Sequence, residues 1–323
     1  MIPSSKLSGA FKIQILAGGI SHERDISLKS GRRLADALTD AGAEVIIREP
    51  DEHLFNHIAK DHPDVIWPML HGASGEDGAL RDILALAGVP FVGPSADAAR
   101  LAWDKAVAKI VVGKAGIQIP ASVTLPKDTF RELNAESVLF AVSSALSFPL
   151  IVKPSKSGSA QGVTLVNNPE QLSRAMIDAY VYWNTAVVEK QIIGTELAVT
   201  VINEGAGPIA LPPVEIEATT GFFGYEERYT AGTTNYFVPS RLPKHTIERA
   251  CQVAIAAHEA LGMRHLSRID LIVDEAGVPW FLEANVTPGL TETSLVPMAI
   301  AATGMELGEV YLSLARAAKS GRG

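Results

Sequence analysis

The chain has a single cysteine, Cys251, among 323 residues. No intrachain disulfide can form, and a zinc site built on several thiolates is excluded. A reducing compartment, the cytoplasm, is the expected location. Basic residues are in deficit: 28 Lys and Arg stand against 36 Asp and Glu, a net charge of −8. That balance opposes a nucleic-acid partner, which calls for a basic face, but leaves room for local phosphate pockets. Long apolar runs are missing as well. Val296 to Ala302 is among the longest, far short of the roughly 20 residues that span a bilayer. The first ten residues are polar and Ser-rich, without the apolar core of a signal peptide, and read as a frayed tail. Nowhere does a GxxxxGK[ST] phosphate loop occur, and Gly18-Gly19 is not followed by GxGxxG, which excludes a dinucleotide oxidoreductase.

What is present is an ordinary globular balance, 47% hydrophobic and 20% charged, with length for about two domains or one elaborate one. The first third alternates strand and helix. Phe11 to Leu16, Glu44 to Arg48, Asp64 to Leu70 and Pro90 to Val92 read as strands, with helices over Ser27 to Ala41 and Ala79 to Ala87. This order predicts an α/β, doubly wound parallel-sheet unit. One helix is expected over Ala96 to Ala115. From Ile119 the pattern changes to an α+β mixture: strands at Leu150 to Lys153, Gly162 to Val166, Ala186 to Gln191 and Glu196 to Ile202, and a helix over Pro169 to Tyr180. A long polar loop, Thr219 to Phe237, then precedes a helix (Lys244 to Leu261), a hairpin (Arg268 to Ala284) and a last helix near Leu307 to Lys319. Boundaries fall near residues 100 and 194, giving units 1–100, 101–193 and 194–323.

The hairpin carries the first chemistry. An even-length turn would set residues whose numbers sum to about 551 opposite each other, Asp270 against Phe281, with Arg268, Glu283 and Asn285 on the same face. Two carboxylates and an amide oxygen suit Mg²⁺. A charged, solvent-facing side of an amphipathic hairpin is the alternative, and Ile269, Leu271, Val273 and Leu282 would form the apolar side either way. The Gly/Ser loop 155–162 joins two strands. It can bring backbone N–H groups to a phosphate, with Lys153 at its base, or be only a flexible loop. Glu189-Lys190 ends an apolar strand and can border a nucleotide, Glu189 accepting from a ribose hydroxyl, or form a surface ion pair. Loops 18–27 and 71–78 follow strands, where open α/β sheets bind ligands. His71 can equally be a turn-capping structural histidine.

Together the segments AGGISHERDISLKSG (17–31), HGASGEDGAL (71–80), Asp104-Lys105, IVKPSKSGSAQGV (151–163), VEKQIIGTEL (188–197), FGYEERY (223–229), SRIDLIV (267–273) and FLEANVTPGLTETSLVP (281–297) resemble the D-alanine–D-alanine ligases of the ATP-grasp superfamily, from about Lys12 to Tyr311. The resemblance implies the N-terminal doubly wound domain followed by a two-domain ATP-grasp fold. It implies ATP as cosubstrate with Mg²⁺ (Mn²⁺ as substitute), two D-alanines joined through an acyl phosphate for peptidoglycan synthesis, and a cytoplasmic homodimer without nucleic-acid or membrane partners. By the same resemblance Lys105 and Lys153 contact the ATP phosphates, with Arg228 beside them, and Glu189, Lys190, Ile192 and Glu196 line the adenosine pocket. Asp270, Glu283 and Asn285 hold the metal, and Arg268 and the Gly289 N–H steady the oxyanion. Glu23 anchors the first substrate's ammonium, Ser159 and Tyr229 link it to the loop over the site, His71 contacts substrate, and Ser294 and Leu295 cradle the second carboxylate. The Gly-rich loop and the 220–237 loop would close as lids.

Some positions depart from the family pattern. Arg228 replaces a usual lysine, exchanging a point charge for a planar fork. Gly224 removes a carboxylate, Ala160-Gln161 replaces Ser-Val, and Val286 and Glu292 stand where Thr and Ser or His are usual. Glu292 adds an anion two residues before Ser294, near the second carboxylate. A related ligase with another acceptor, D-lactate, D-serine or a different amino acid, is therefore the alternative activity, although Tyr229 favours the dipeptide. An inactive ATP-binding sensor is opposed by the presence of every phosphate, metal and oxyanion residue.

Overall fold

The computed structural model describes residues 10–230 and 232–322, with Tyr229 described by its backbone alone; the proposed tail up to residue 9 lies outside them. Lys12–Ala17 (β1) pairs in parallel with Glu44–Arg48 (β2) on one side and Val65–Met69 (β3) on the other. Phe91 makes a single parallel bridge to Ile66 where a short strand was expected. Four helices accompany this sheet among the described residues: Arg24–Asp40 (α1), Leu54–Asp61 (α2), Ala73–Glu76 (α3) and Ala79–Leu86 (α4). Alternation along β1 divides its side chains between two cores. Ile13 and Ile15 meet Leu34 and Leu38 of α1, while Leu16 meets Leu54 and Ile58 of α2 and Leu84 of α4. Both faces are covered, as a parallel sheet requires.

The single helix expected over 96–115 is two, Ala96–Trp103 (α5) and Lys105–Lys114 (α6). Asp104 divides them. Its backbone is extended and its carboxylate accepts from the N–H groups of Ala106 and Val107, at 3.1 and 3.3 Å. This N-cap contributes about 1 kcal/mol, and it sets Lys105 at the first position of the new helix.

The middle sheet is antiparallel. Ser122–Pro126 (β4), Leu150–Pro154 (β5), Thr164–Val166 (β6) and Thr185–Lys190 (β7) lie in the order β4-β7-β5-β6. Between them run the short Thr129–Glu132 (α7), then Ala135–Leu146 (α8) and Pro169–Tyr182 (α9). Val152 and Val188 pack on Val142, Leu172 and Met176 of the helices. The opposite face of β5 and β7 then carries Ile151, Lys153 and Glu189, because successive side chains alternate.

The third sheet orders Gly194–Ile202 (β8), Val214–Ala218 (β10), Thr234–Phe237 (β11), Leu266–Asp274 (β12) and Pro279–Asn285 (β13) as β11-β10-β8-β12-β13, with Ile209–Ala210 (β9) paired to β8. The stretch read as one polar loop holds Tyr225–Tyr229 (α10) and β11. Lys244–Ala260 (α11) covers one face, where Ala250, Ala254 and Ala257 meet Val199, Ile269, Leu271 and Phe281, together with Ala99 and Val112 of α5 and α6. Leu295–Ala301 (α12) packs on β8 and β10 of this sheet, and Leu307–Lys319 (α13) returns to the first sheet, where Tyr311 stacks edge-on to Trp67 at 5.7 Å.

Candidate active site

Two cavities meet inside the molecule. The smaller, about 200 Å³, lies between the middle and third sheets. Lys153, Glu189, Lys190 and Ile192 line it from one side, and Glu196, Asp270, Ile272, Leu282 and Glu283 from the other. The hairpin that supplies the last four is not in the expected register. Asp270 faces Glu283 and Arg268 faces Asn285, but Leu271 faces Phe281, so Leu282 is an extra residue. The turn is also odd in length: Asp274 N–H bonds the Val278 carbonyl at 3.1 Å and Val273 pairs with Pro279. A β-bulge of this kind sets two residues against one and re-aims them. Leu282 therefore joins Glu283 at the cavity instead of the apolar side, and Phe281, expected opposite Asp270, is fully buried with Leu271 in the core. The charged face is a cavity wall, not a solvent-facing side.

Charges inside the cavity are paired. Arg268 grips Asp270 with two parallel bonds of 2.7 Å. Burial works against the arginine's charge, but Asp270 outweighs it and holds the guanidinium protonated above its ordinary range. Glu283 is pushed up by burial, yet Lys105, Arg228, Lys153 and Arg268 together bring it down to about 2. Lys105 Nζ lies 3.2 Å from its carboxylate and also donates to the Ser157 carbonyl at 2.7 Å. Glu196 has fewer cations near it, and burial raises it to about 8. Glu189 is not a surface ion pair: it is buried, and each oxygen holds a lysine, Lys153 at 2.7 Å on one and Lys109 on the other. Arg228 spreads over the Phe223 ring at 4.4 Å, where a cation on an aromatic face gains of order 1 kcal/mol.

Asn285 decides whether a cation fits. Its Oδ1 is buried without a hydrogen-bond partner. Beside it are the facing carboxylates of Asp270 and Glu283. An unsatisfied buried acceptor is costly unless something binds it. Two carboxylates and an amide oxygen suit Mg²⁺ completed by phosphate oxygens. No cluster of three His, Cys, Asp or Glu occurs among the described residues, so the set would rely on the amide and the phosphates.

The larger cavity, about 640 Å³, shares Lys105, Phe223, Arg228 and Glu283 with the smaller one. It also holds Glu23, His71, Ser159, Arg268, Asn285, Gly289, Ser294 and Leu295. Ser159 donates its hydroxyl to Glu23, joining the Gly/Ser loop to the first helix. That loop turns through left-handed conformations at Ser159 (φ 52°) and Ala160 (φ 56°), which non-glycine residues hold at a cost of about 1–3 kcal/mol each. Gly158 lets it approach, since a Cβ there would meet a Glu23 oxygen at 2.7 Å. The backbone of Tyr229 ends α10; its side chain lies outside what is described.

His71 is no turn cap. Its Nδ1–H donates to the Thr287 carbonyl at 3.0 Å, and burial lowers it to about 4, so it is neutral. Glu292, the anion expected to disturb the second carboxylate, is 85% exposed and lies 4.0 Å from Arg33. Sequence reading passed over Arg33, Glu76 and Lys109. Glu76 lines the larger cavity with an acceptor on the Gly72 N–H, and burial and Glu23 raise it to about 8. A lysine within a helix reads as solvent-facing, so nothing marked Lys109.

Gly289 sits against Ser294: a Cβ there would come within 2.9 Å of its hydroxyl. Gly289→Ala should displace Ser294 and lower kcat/KM for the amino-acid substrate by on the order of tenfold to a hundredfold, with little change in Tm. Steady-state kinetics with nucleotide saturating check this, and an unchanged kcat/KM would remove Gly289 and Ser294 from substrate binding.

Two antiparallel sheets closing on a cavity lined by lysines and paired carboxylates define an enzyme of the ATP-grasp class. The family described as D-ala D-ala ligase C-terminus matches residues 111–314. A D-alanine–D-alanine ligase of Bordetella petrii is 37% identical, covering 97% of this chain and 93% of its own. Among solved structures, a D-alanine–D-alanine ligase from Bacillus anthracis complexed with ATP superposes with TM-score 0.80 at 26% identity, over 98% of this chain and 99% of that one. The VanG D-Ala:D-Ser ligase from Enterococcus faecalis gives TM-score 0.80 at 28% identity, over 94% and 98%. The chain belongs to the D-alanine–D-alanine ligase family.

Proposed function

We propose that the protein joins two D-alanines to D-alanyl-D-alanine at the cost of ATP, in the cytoplasm and as a homodimer, supplying peptidoglycan synthesis. The observation that carries the reading is the pair of cavities joined through Lys105, Arg228 and Glu283. The apolar slot of Ile151, Ile192, Ile272 and Leu282 suits adenosine. The shared cations suit the phosphates, and the larger cavity suits two small amino acids. Among the described residues no helix is long and apolar enough to cross a membrane.

The chemistry follows from the charges. A carboxylate is a poor electrophile, so an oxygen of the first D-alanine attacks the γ-phosphorus, the bond to the β-phosphate oxygen breaks and ADP leaves. Phosphoryl transfer needs positioning and neutralisation rather than covalent help. Lys105, Lys153 and Arg228 provide cations. Asp270, Glu283 and Asn285 would hold Mg²⁺, which when bound neutralises phosphate charge. The amine of the second D-alanine, having lost a proton, then attacks the acyl carbon, and Arg268 with the Gly289 N–H faces the negative oxygen that forms. Collapse breaks the carbon–oxygen bond and releases phosphate. Glu23, held by Ser159, receives the first ammonium, and the Ser294 hydroxyl and Leu295 N–H receive the second carboxylate. Glu292 lines the same cavity as Ser294, with Arg33 at 4.0 Å as the cation that offsets its charge there.

Phosphate release with MgATP, measured over D- and L-amino acids and D-lactate with products weighed by mass spectrometry, tests the reading. D-Alanine alone should give the dipeptide. Turnover with D-serine or D-lactate in preference to D-alanine would overturn the acceptor, and silence across the panel the activity. Light scattering in solution checks the dimer.

A further inference from the structure

Lys109 touches neither cavity, yet it is among the most deeply buried charged residues of the chain, 2% exposed. It sits one helical turn after Lys105 on α6, so the two ammoniums leave the same face of the helix. They diverge to different sheets: Lys105 reaches Glu283 on β13 and Lys109 reaches Glu189 on β7. Glu189 divides itself between two lysines. One oxygen takes Lys109 from behind, and the other takes Lys153, which lines the cavity.

Without Lys109, Lys153 and Glu189 would form a neutral pair, and a buried neutral pair has little attraction for phosphate. With it, two ammoniums surround one carboxylate and a net positive charge remains beside the cavity. We propose that Lys109 is a positioning residue for the nucleotide phosphates, cancelling the charge of Glu189 from behind so that Lys153 acts on the ligand with its charge uncancelled. The inference rests on the reading of this cavity as a nucleotide site, and the Glu189–lysine contacts carry it.

The test is binding of ADP and of adenosine to the full chain, by displacement of a fluorescent nucleotide, for wild type, Lys109→Gln and Lys109→Arg. Lys109→Gln keeps a donor for Glu189 but no charge. It should weaken ADP by about tenfold or more and leave adenosine within twofold, while Lys109→Arg restores ADP. In Lys109→Gln/Glu189→Gln there is no charge left to cancel, and ADP affinity should recover toward that of Glu189→Gln alone. ADP affinity unchanged in Lys109→Gln overturns the inference, and so does equal weakening of ADP and adenosine, the result of a merely structural role. Should Lys109→Gln not fold, the double variant against Glu189→Gln decides: a further loss of ADP in the double variant overturns the inference, and equal affinity supports it. A wild type that holds ADP no better than adenosine would instead remove the nucleotide reading itself.

Discussion

Glu283→Gln should lower the rate of ATP-dependent phosphate release by about a hundredfold to a thousandfold, the range seen when one charge-stabilising group leaves an active site. Glu283 is the one carboxylate that lines both cavities on the hairpin, facing Asp270 across the strands and holding Lys105. The amide that replaces it keeps the shape and removes the charge. A cation that Asp270, Glu283 and Asn285 would hold would lose an anionic ligand, and Lys105 loses its partner. Folding should survive, because Lys105 still donates to the Ser157 carbonyl. Adenosine affinity should also survive, since Leu282 and Ile272 remain. Rates within fivefold of wild type at saturating MgATP would show that the hairpin's charged face is not where the phosphates sit.

The unliganded protein should be most stable near pH 6.5 and lose stability on both sides. His71, His258 and His265 are each lowered by burial to about 4, from an ordinary value near 6.5. Depressed bases bind fewer protons folded than unfolded, so their contribution is present above 6.5 and is lost as pH falls toward 4. Three such groups together amount to several kcal/mol. Glu76 and Glu196 act with the opposite sense. Raised by burial to about 8, they bind more protons folded than unfolded above pH 4.5, and stability is lost as pH rises toward 8. Between 4.5 and 6.5 three histidines outweigh two carboxyls, and above 6.5 the carboxyls act alone. Thermal melts from pH 4.5 to 8.5 should show that maximum, and Glu76→Gln should flatten the alkaline side. A Tm level across the range would mean these groups are solvated.

Most strands and long helices could be read from alternation and helical spacing, because in this chain burial and local pattern agree. The parallel first sheet is an example: β1 and β2 run within a residue or two of expectation. The exceptions have physical causes. The break at Asp104 depends on one capping carboxylate that no proline or glycine announces. The helix from Ala135 was overlooked although Asn134 caps it at Ser137; with few of its side chains buried, its pattern is faint. At the site, Glu23, Lys105, Lys153, Arg268 and Glu283, from motifs far apart in the sequence, line the two joined cavities. Leu282 joins them with no warning in the sequence, because a bulge depends on how two strands accommodate each other and leaves no mark on either alone. Lys109 has a partner 80 positions away, and only the folded chain brings them together.

The last helix has a consequence in time. Tyr311 and Leu314 of α13 close the core that α1 and the first sheet begin. Gly308 lies so near the Ala37 carbonyl that a Cβ would come within 2.3 Å. During synthesis the first sheet is therefore made early and covered late. One flank of α1 stays bare until Leu307–Lys319 has left the ribosome, and a protease acting on chains arrested before that point should find it. The first sheet, made well before α13, is sealed only by it.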